Sequence, residues 1–260
     1  MTATAPAALL SQQIRAGKPV FAAWCGYPEP AIAEQLCRDG FDTAVLDMQH
    51  GAFELDSAIR GIAHVALAGK PAIVRIPVGA FATVSRIFDY GAAGVIAPMI
   101  NSAADARAFA SFAKLPPVGD RSWGPRRALP LTGLAPDEYL RAANDQHLAI
   151  AMIETREAIA ALDDILATPG IDGVFVGPSD LSIALSHGQK VDWAAPEVDQ
   201  ALDHVAARAK VHGKFCSAFT FNGVVAKNLA SRGFSLLSIG TDALLMKQAA
   251  AAELQVARLT

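Results

Sequence analysis

A chain of 260 residues that is 52% hydrophobic and only 18% charged can build a large core, yet none of its apolar runs approaches the roughly 18 residues of a membrane-spanning helix. A formal net charge of −3 supplies no basic field for nucleic acid or anionic lipid. Residues 1–10 lack the charged start and apolar centre of a signal peptide, and the three cysteines (Cys25, Cys37, Cys216) lack metal-type spacing, so a reducing, cytoplasmic setting is expected.

After a short leading helix that stops at Gly17, β-leaning apolar runs recur at 20–25, 43–48, 72–76, 94–99, 148–153, 173–176, 214–220 and 236–239. Most are continuously apolar rather than alternating, as expected of parallel strands covered on both faces. Between them lie helical patterns at 30–39, 56–68, 81–90, 103–114, 156–167, 196–211 and 222–231. Nearly all of these stop at Gly or Pro, the usual residues beyond a helix end. Eight strands alternating with helices in this length predict a (β/α)8 TIM barrel occupying the whole chain, 1–260, as one domain. A doubly wound open sheet is the alternative fold.

One segment breaks the rhythm. Between the fourth and fifth predicted strands lie about fifty residues, including the Pro-, Gly- and Arg-rich stretch 117–127. Such a loop predicts an ordered lid or substrate-facing loop at the C-terminal face of the barrel; an exposed excursion or a subunit contact is the other possibility.

Active sites of this fold lie at the C-terminal strand tips, so the polar residues delivered there are the candidates. Strand two delivers Asp47, Gln49 and His50, strand three Arg75, strand five Glu154, strand six Ser179 and Asp180, and strand eight Asp242. Glu154 and Asp180 each precede a helix and could simply cap it. As a pair on adjacent strands they point to a hard divalent cation. His50 is a candidate general base or a surface histidine. Arg75, in a buried-looking strand, needs anionic company, supplied by a substrate carboxylate or enolate, or by an ion pair with Asp47 or Asp89. None of the lysines falls at a strand tip, which argues against imine chemistry.

The ordered set Phe41-Asp42-Thr43-Ala44-Val45-Leu46-Asp47-Met48-Gln49-His50, Pro71–Pro77, Asp89–Gly94, Ile153-Glu154-Thr155-Arg156-Glu157-Ala158 and Gly173–Ser182 resembles the HpcH/HpaI aldolases, metal-dependent class II pyruvate aldolases such as those acting on 4-hydroxy-2-oxoheptanedioate or 2-keto-3-deoxy sugar acids. The resemblance runs from Phe21 to about Ala250. It implies reversible cleavage of 4-hydroxy-2-oxo acids into pyruvate or hydroxypyruvate and an aldehyde, through an enolate held by Mg2+, Mn2+ or Co2+. It implies that Glu154 and Asp180 bind the metal, that His50 is the base with Asp89 raising its basicity, and that Arg75 stabilises the enolate. Backbone N–H groups around Gly177, Ser179 and Asp180 would hold the donor carboxylate, with Asp47 and Gln49 behind. It further implies a homo-oligomer, a trimer of dimers with a swapped C-terminal helix. Two positions depart from the family pattern: Met152 stands where a substrate-touching Gln is common, and Gln49 where an acid often precedes the His. The 121–125 loop departs from the aldolases of dicarboxylic sugar acids. A carbon–carbon lyase of the malyl- or citryl-CoA type is the nearest alternative, and a non-catalytic 2-oxo acid binder a more distant one.

Overall fold

A computed structural model describes residues 5–258. Eight parallel strands close into a barrel in sequence order: β1 (Val20–Cys25), β2 (Thr43–Asp47), β3 (Ala72–Arg75), β4 (Gly94–Ala97), β5 (Leu148–Ile153), β6 (Gly173–Val176), β7 (Phe215–Ala218) and β8 (Leu236–Thr241). β8 pairs back to β1, with a register shift between Ala22 and Trp24. The expected (β/α)8 barrel is therefore the fold. The first four residues of the 1–10 segment lie outside the described residues.

The two-residue period of a strand decides which side chains fill the barrel. Val20, Ala22 and Trp24 of β1 point inward, while Ala23 and Cys25 join the outer layer under the helices. The same alternation places Val45, Ile73, Ile150 and Phe175 inside, and Leu46, Val74, Ala151 and Val174 outside. Helix α1 (Pro6–Arg15) plugs the N-terminal end of this interior with Ala7, Leu10 and Ile14.

The outer ring is formed by α2 (Pro30–Arg38), α3 (Leu55–Leu67), α4 (Ala82–Asp89), α5 (Ala103–Ala113), α6 (Ala128–Thr132), α7 (Pro136–Gln146), α8 (Arg156–Ala160), α9 (Leu162–Ala167), α10 (Pro178–Leu185), α11 (Pro196–Val211), α12 (Gly223–Ser231) and α13 (Asp242–Arg258). The helix predicted over 156–167 is two helices, because Ala161 leaves helical geometry at φ −95° and ψ 9°. No helix among the described residues is long and apolar enough to cross a membrane.

The segment 114–127 is not a lid over the C-terminal face. Helix α5 descends from the tip of β4, so the chain after it starts at the N-terminal end of the barrel and folds back on the ends of α4 and α5. Asp120 N–H donates to Ser111 O at 2.8 Å, Arg121 N–H to Lys114 O at 3.0 Å, and Arg127 N–H to Asp89 O at 2.9 Å. The insertion then becomes α6 and α7, which return to the start of β5.

Candidate active site

The polar tips continue the inward alternation of the strands that carry them. Asp47 follows Val45 by two residues, Arg75 follows Ile73, Met152 and Glu154 follow Ile150, and Gly177 follows Phe175. The candidate residues are thus the top layer of the barrel interior, where a cavity of about 530 Å³ opens. Asp47, His50, Arg75, Met152, Gly177, Ser179 and Asp180 all line it, together with Trp24, Tyr27, Phe219, Phe221 and Asp242.

Asp47 is the hub. Its Oδ1 accepts Arg75 Nε at 2.9 Å and the N–H of Gln49 and His50 at 3.0 and 3.3 Å. Its Oδ2 accepts Arg75 Nη2 at 2.6 Å and Trp24 Nε1 at 3.1 Å. Burial works to raise the Asp47 carboxyl, but the Arg75 guanidinium and these N–H donors outweigh it and hold the group below the usual range. Arg75 also lies over the Trp24 ring, 4.8 Å from its centroid. The guanidinium is therefore fixed on two sides, and its Nη1 has no acceptor among the described residues. The ion pair with Asp47 and the exposure to the cavity coexist.

His50 sits exposed at the mouth, its backbone anchored on Asp47 and its ring without a hydrogen-bond partner among the described residues. Gly51 behind it allows the β1 and β2 loops to touch; a Cβ there would meet Asp47 O and come within 2.9 Å of Gly26 Cα. The amide oxygen of Gln49 is buried without a partner.

Glu154 is 2% exposed. Its Oε1 accepts the N–H of Met99 at 2.8 Å, and Met99 adopts φ +55° to present that donor, a conformation non-glycine residues seldom take. Its Oε2 lies against Gly177, where a Cβ would sit 2.7 Å away. Burial raises the Glu154 carboxyl, the Met99 N–H opposes this, and the negative charge of Asp180 raises it further. Two carboxylates crowded in this way, one over a backbone with no side chain, form a donor set of the kind a hard divalent cation neutralises. Among the described residues no group of three or more His, Cys, Asp or Glu side chains is placed to hold a metal. Ser179 and Asp180 occupy the first turn of α10, where helical geometry leaves N–H groups free to meet an anion.

Asp89 is not brought to this cavity. It ends α4 at the other end of the barrel, where Arg121 Nη2 donates to it at 2.7 Å. Within one protomer it stands apart from His50. Trp24, Phe219 and Asp242 were open to sequence reasoning through strand alternation and strand-tip position; Tyr27 and Phe221 lie in loops that carry no such signal. Met99 is unmarked in sequence because its role is carried by its backbone.

A second cavity, about 880 Å³, lies at the N-terminal end and is lined by Arg15, Asp172, Asp203, Lys210, Lys214 and Arg232 among others. Its size does not make it the better candidate. Arg232 is held by Asp199 and Asp203, Arg15 by Asp145, and Lys214 by Ile171 O, so most of its charge is already matched.

The sequence model of the HpcH/HpaI aldolase/citrate lyase family matches residues 21–249. The chain belongs to that family. Among relatives of this HpcH/HpaI protein, a hydroxypyruvate/pyruvate aldolase of Rhizorhabdus wittichii is 38% identical over 90% of this chain and 92% of its own length. A 5-keto-4-deoxy-D-glucarate aldolase of Salmonella gallinarum is 30% identical over 91% of this chain and 89% of its own. The crystal structure of an HpcH/HpaI aldolase from Desulfitobacterium hafniense superposes with a TM-score of 0.87 at 28% identity, covering 96% of this chain and 97% of the other.

Proposed function

We propose that the C-terminal cavity is the active site of an aldolase that reversibly cleaves 4-hydroxy-2-oxo acids to pyruvate or hydroxypyruvate and an aldehyde. The observation that carries this reading is the convergence, around one cavity, of a carboxylate pair (buried Glu154 behind Gly177 and exposed Asp180), a fixed guanidinium, a free imidazole and a helix N-terminus. The names of the relatives from R. wittichii and S. gallinarum support it.

Glu154 and Asp180 would hold a divalent cation (Mg2+, Mn2+ or Co2+). When bound, that ion supplies Lewis acidity toward a 2-oxo acid. The N–H groups of Ser179 and Asp180 receive the donor carboxylate. In cleavage, His50 accepts the proton of the C4 hydroxyl. The C3–C4 bond breaks, its electrons pass to the donor fragment as an enolate, and the aldehyde leaves. Arg75 opposes the enolate charge with N–H groups held in place by Asp47, and a proton returned to C3 completes the 2-oxo acid.

A homo-oligomer with an exchanged C-terminal helix belongs to the same proposal. In α13 only Asp242 is buried, and Met246, Leu254 and Val256 are exposed at 46%, 48% and 68%, more apolar surface than an unpartnered helix normally shows. Any part played by Asp89 beside His50 would require a neighbouring subunit to bring it there. The three cysteines are buried and free, which supports cytoplasmic residence.

The test is exchange of pyruvate methyl protons into D2O with each metal, before and after EDTA. Metal-dependent exchange is the expected result. Turnover of acyl-CoA thioesters without pyruvate exchange would move the protein to the CoA-lyase class, and neither activity would leave a 2-oxo acid binder.

A further inference from the structure

One wall of the cavity is aromatic from floor to rim. Phe175 and Trp24 lie 5.5 Å apart between ring centroids, Trp24 meets Phe219 edge-on at 5.4 Å, and Phe219 meets Phe221 at 5.0 Å. Phe221 in turn stacks on Trp193 at 4.6 Å with the planes 27° apart. Trp24, Phe219 and Phe221 face the cavity directly, and the Phe221–Trp193 stack stands at its mouth, with Trp193 36% exposed. The space is far larger than a three-carbon donor needs.

The charges around that space are equally telling. Arg75 is the sole Lys or Arg lining the cavity among the described residues, and it is paired with Asp47 on the donor side. Asp242 uses Oδ2 for the N–H groups of Gly26 and Tyr27 and Oδ1 for that of Ala243, while Asp180 adds a further negative charge. Within one protomer, a second carboxylate on the substrate would therefore lose its hydration against aromatic rings and meet acids rather than a cation.

We infer that the acceptor half of this cavity takes an uncharged aldehyde with an apolar or aromatic body, and that Phe219 and Phe221, the latter braced by Trp193, set that preference. The inference rests on the aldolase reading above and gives its substrate a class. Aromatic faces offer apolar contact without demanding one shape, so the wall excludes charge more strongly than it selects length.

The experiment compares kcat/KM for two acceptors of similar shape with pyruvate as donor and Mn2+ supplied: 4-methylpentanal, and succinic semialdehyde, in which a carboxylate replaces the isopropyl end. The wild type is expected to favour 4-methylpentanal by about tenfold or more. Phe221→Arg, which sets a cation at the rim, is expected to move the ratio toward succinic semialdehyde by about tenfold. Equal or reversed preference in the wild type, with pyruvate proton exchange present, overturns the inference and leaves the aldolase reading standing. Absence of exchange overturns both. A folded Phe221→Arg variant with an unmoved ratio removes Phe221 from the assignment, and the wild-type ratio decides the substrate class even where that variant does not fold.

Discussion

Two buried arginines of this protein have nearly the same surroundings and opposite meanings. Arg75 pairs with Asp47 and lies over Trp24; Arg121 pairs with Asp89 and lies over Phe88, 5.2 Å from its centroid. Arg75 makes two bonds to a carboxylate that also accepts three N–H groups, and it still looks into a cavity. Arg121 makes one such bond, its Nε is buried without a partner, and it faces packed chain at the N-terminal end. Burial and pairing alone do not mark a site; what matters is whether the remaining hydrogen-bonding capacity faces space a substrate can enter.

The contrast extends to the acids and can be broken or sharpened by substitution. Glu154→Gln should have the largest effect, removing one of the two charges proposed to hold the cation. Proton exchange should fall about 10³-fold or more, and Mn2+ titration followed by EPR should lose its tight phase. Arg75→Ala should lower the exchange rate by roughly 10²–10³, and Arg75→Lys should recover little, because a lysine cannot reproduce the two-point bond to Asp47. Near-normal rates in either variant would remove Arg75 from the chemistry.

At the other end of the barrel, Lys114 is 1% exposed, with Nζ 2.6 Å from Asp172 Oδ2 and 2.7 Å from both Asn144 O and His147 O. Lys114→Met should cost about 3 kcal/mol of stability in urea unfolding, since it strands a buried carboxylate, while kcat per folded molecule stays unchanged. A loss of kcat without a loss of stability would contradict the division between the two ends.

The mildest expected effect concerns His147, whose Nδ1 donates to Ala92 O at 2.9 Å and whose Nε2 accepts Tyr139 OH at 2.8 Å. Burial, aided by the Arg121 charge, pushes its pKa from 6.5 down to about 3. Between those values the unfolded chain binds more protons than the folded one. The contribution of neutral His147 is therefore complete above pH 6.5 and is lost progressively as pH falls toward 3. His147→Gln should be less stable than the wild type at pH 7.5, and the gap in urea midpoint should narrow at pH 4.5. A constant gap would show that the ring is not held neutral.

The barrel was legible because its strands and stops are local features. The runs at 20–25, 148–153 and 173–176 coincide with β1, β5 and β6, and Gly69 and Gly91, at φ +71° and +100°, end α3 and α4 where the sequence marks them. The tip residues were legible through the same periodicity. The 114–127 segment was misplaced because composition does not say which end of a barrel a loop occupies; only the direction of α5 does. The separation of Asp89 from His50 within one protomer was not legible, because motif order carries no distance. The aromatic wall was not legible as a whole because the Phe221–Trp193 stack joins two loops, after β7 and after α10, that meet only when the barrel closes.

Asp242 has a wider reach than its place at the cavity edge suggests. The barrel joins its first and last strands at a seam where the pairing register shifts, and this one carboxylate bridges the seam by holding the Gly26 and Tyr27 N–H groups of the β1 loop from the opening residue of α13. The ring is thus fastened by a side chain as well as by its ladder. A truncation that removed α13 with Asp242 would loosen the mouth at Tyr27, some 215 residues away along the chain, without touching any residue proposed for the chemistry.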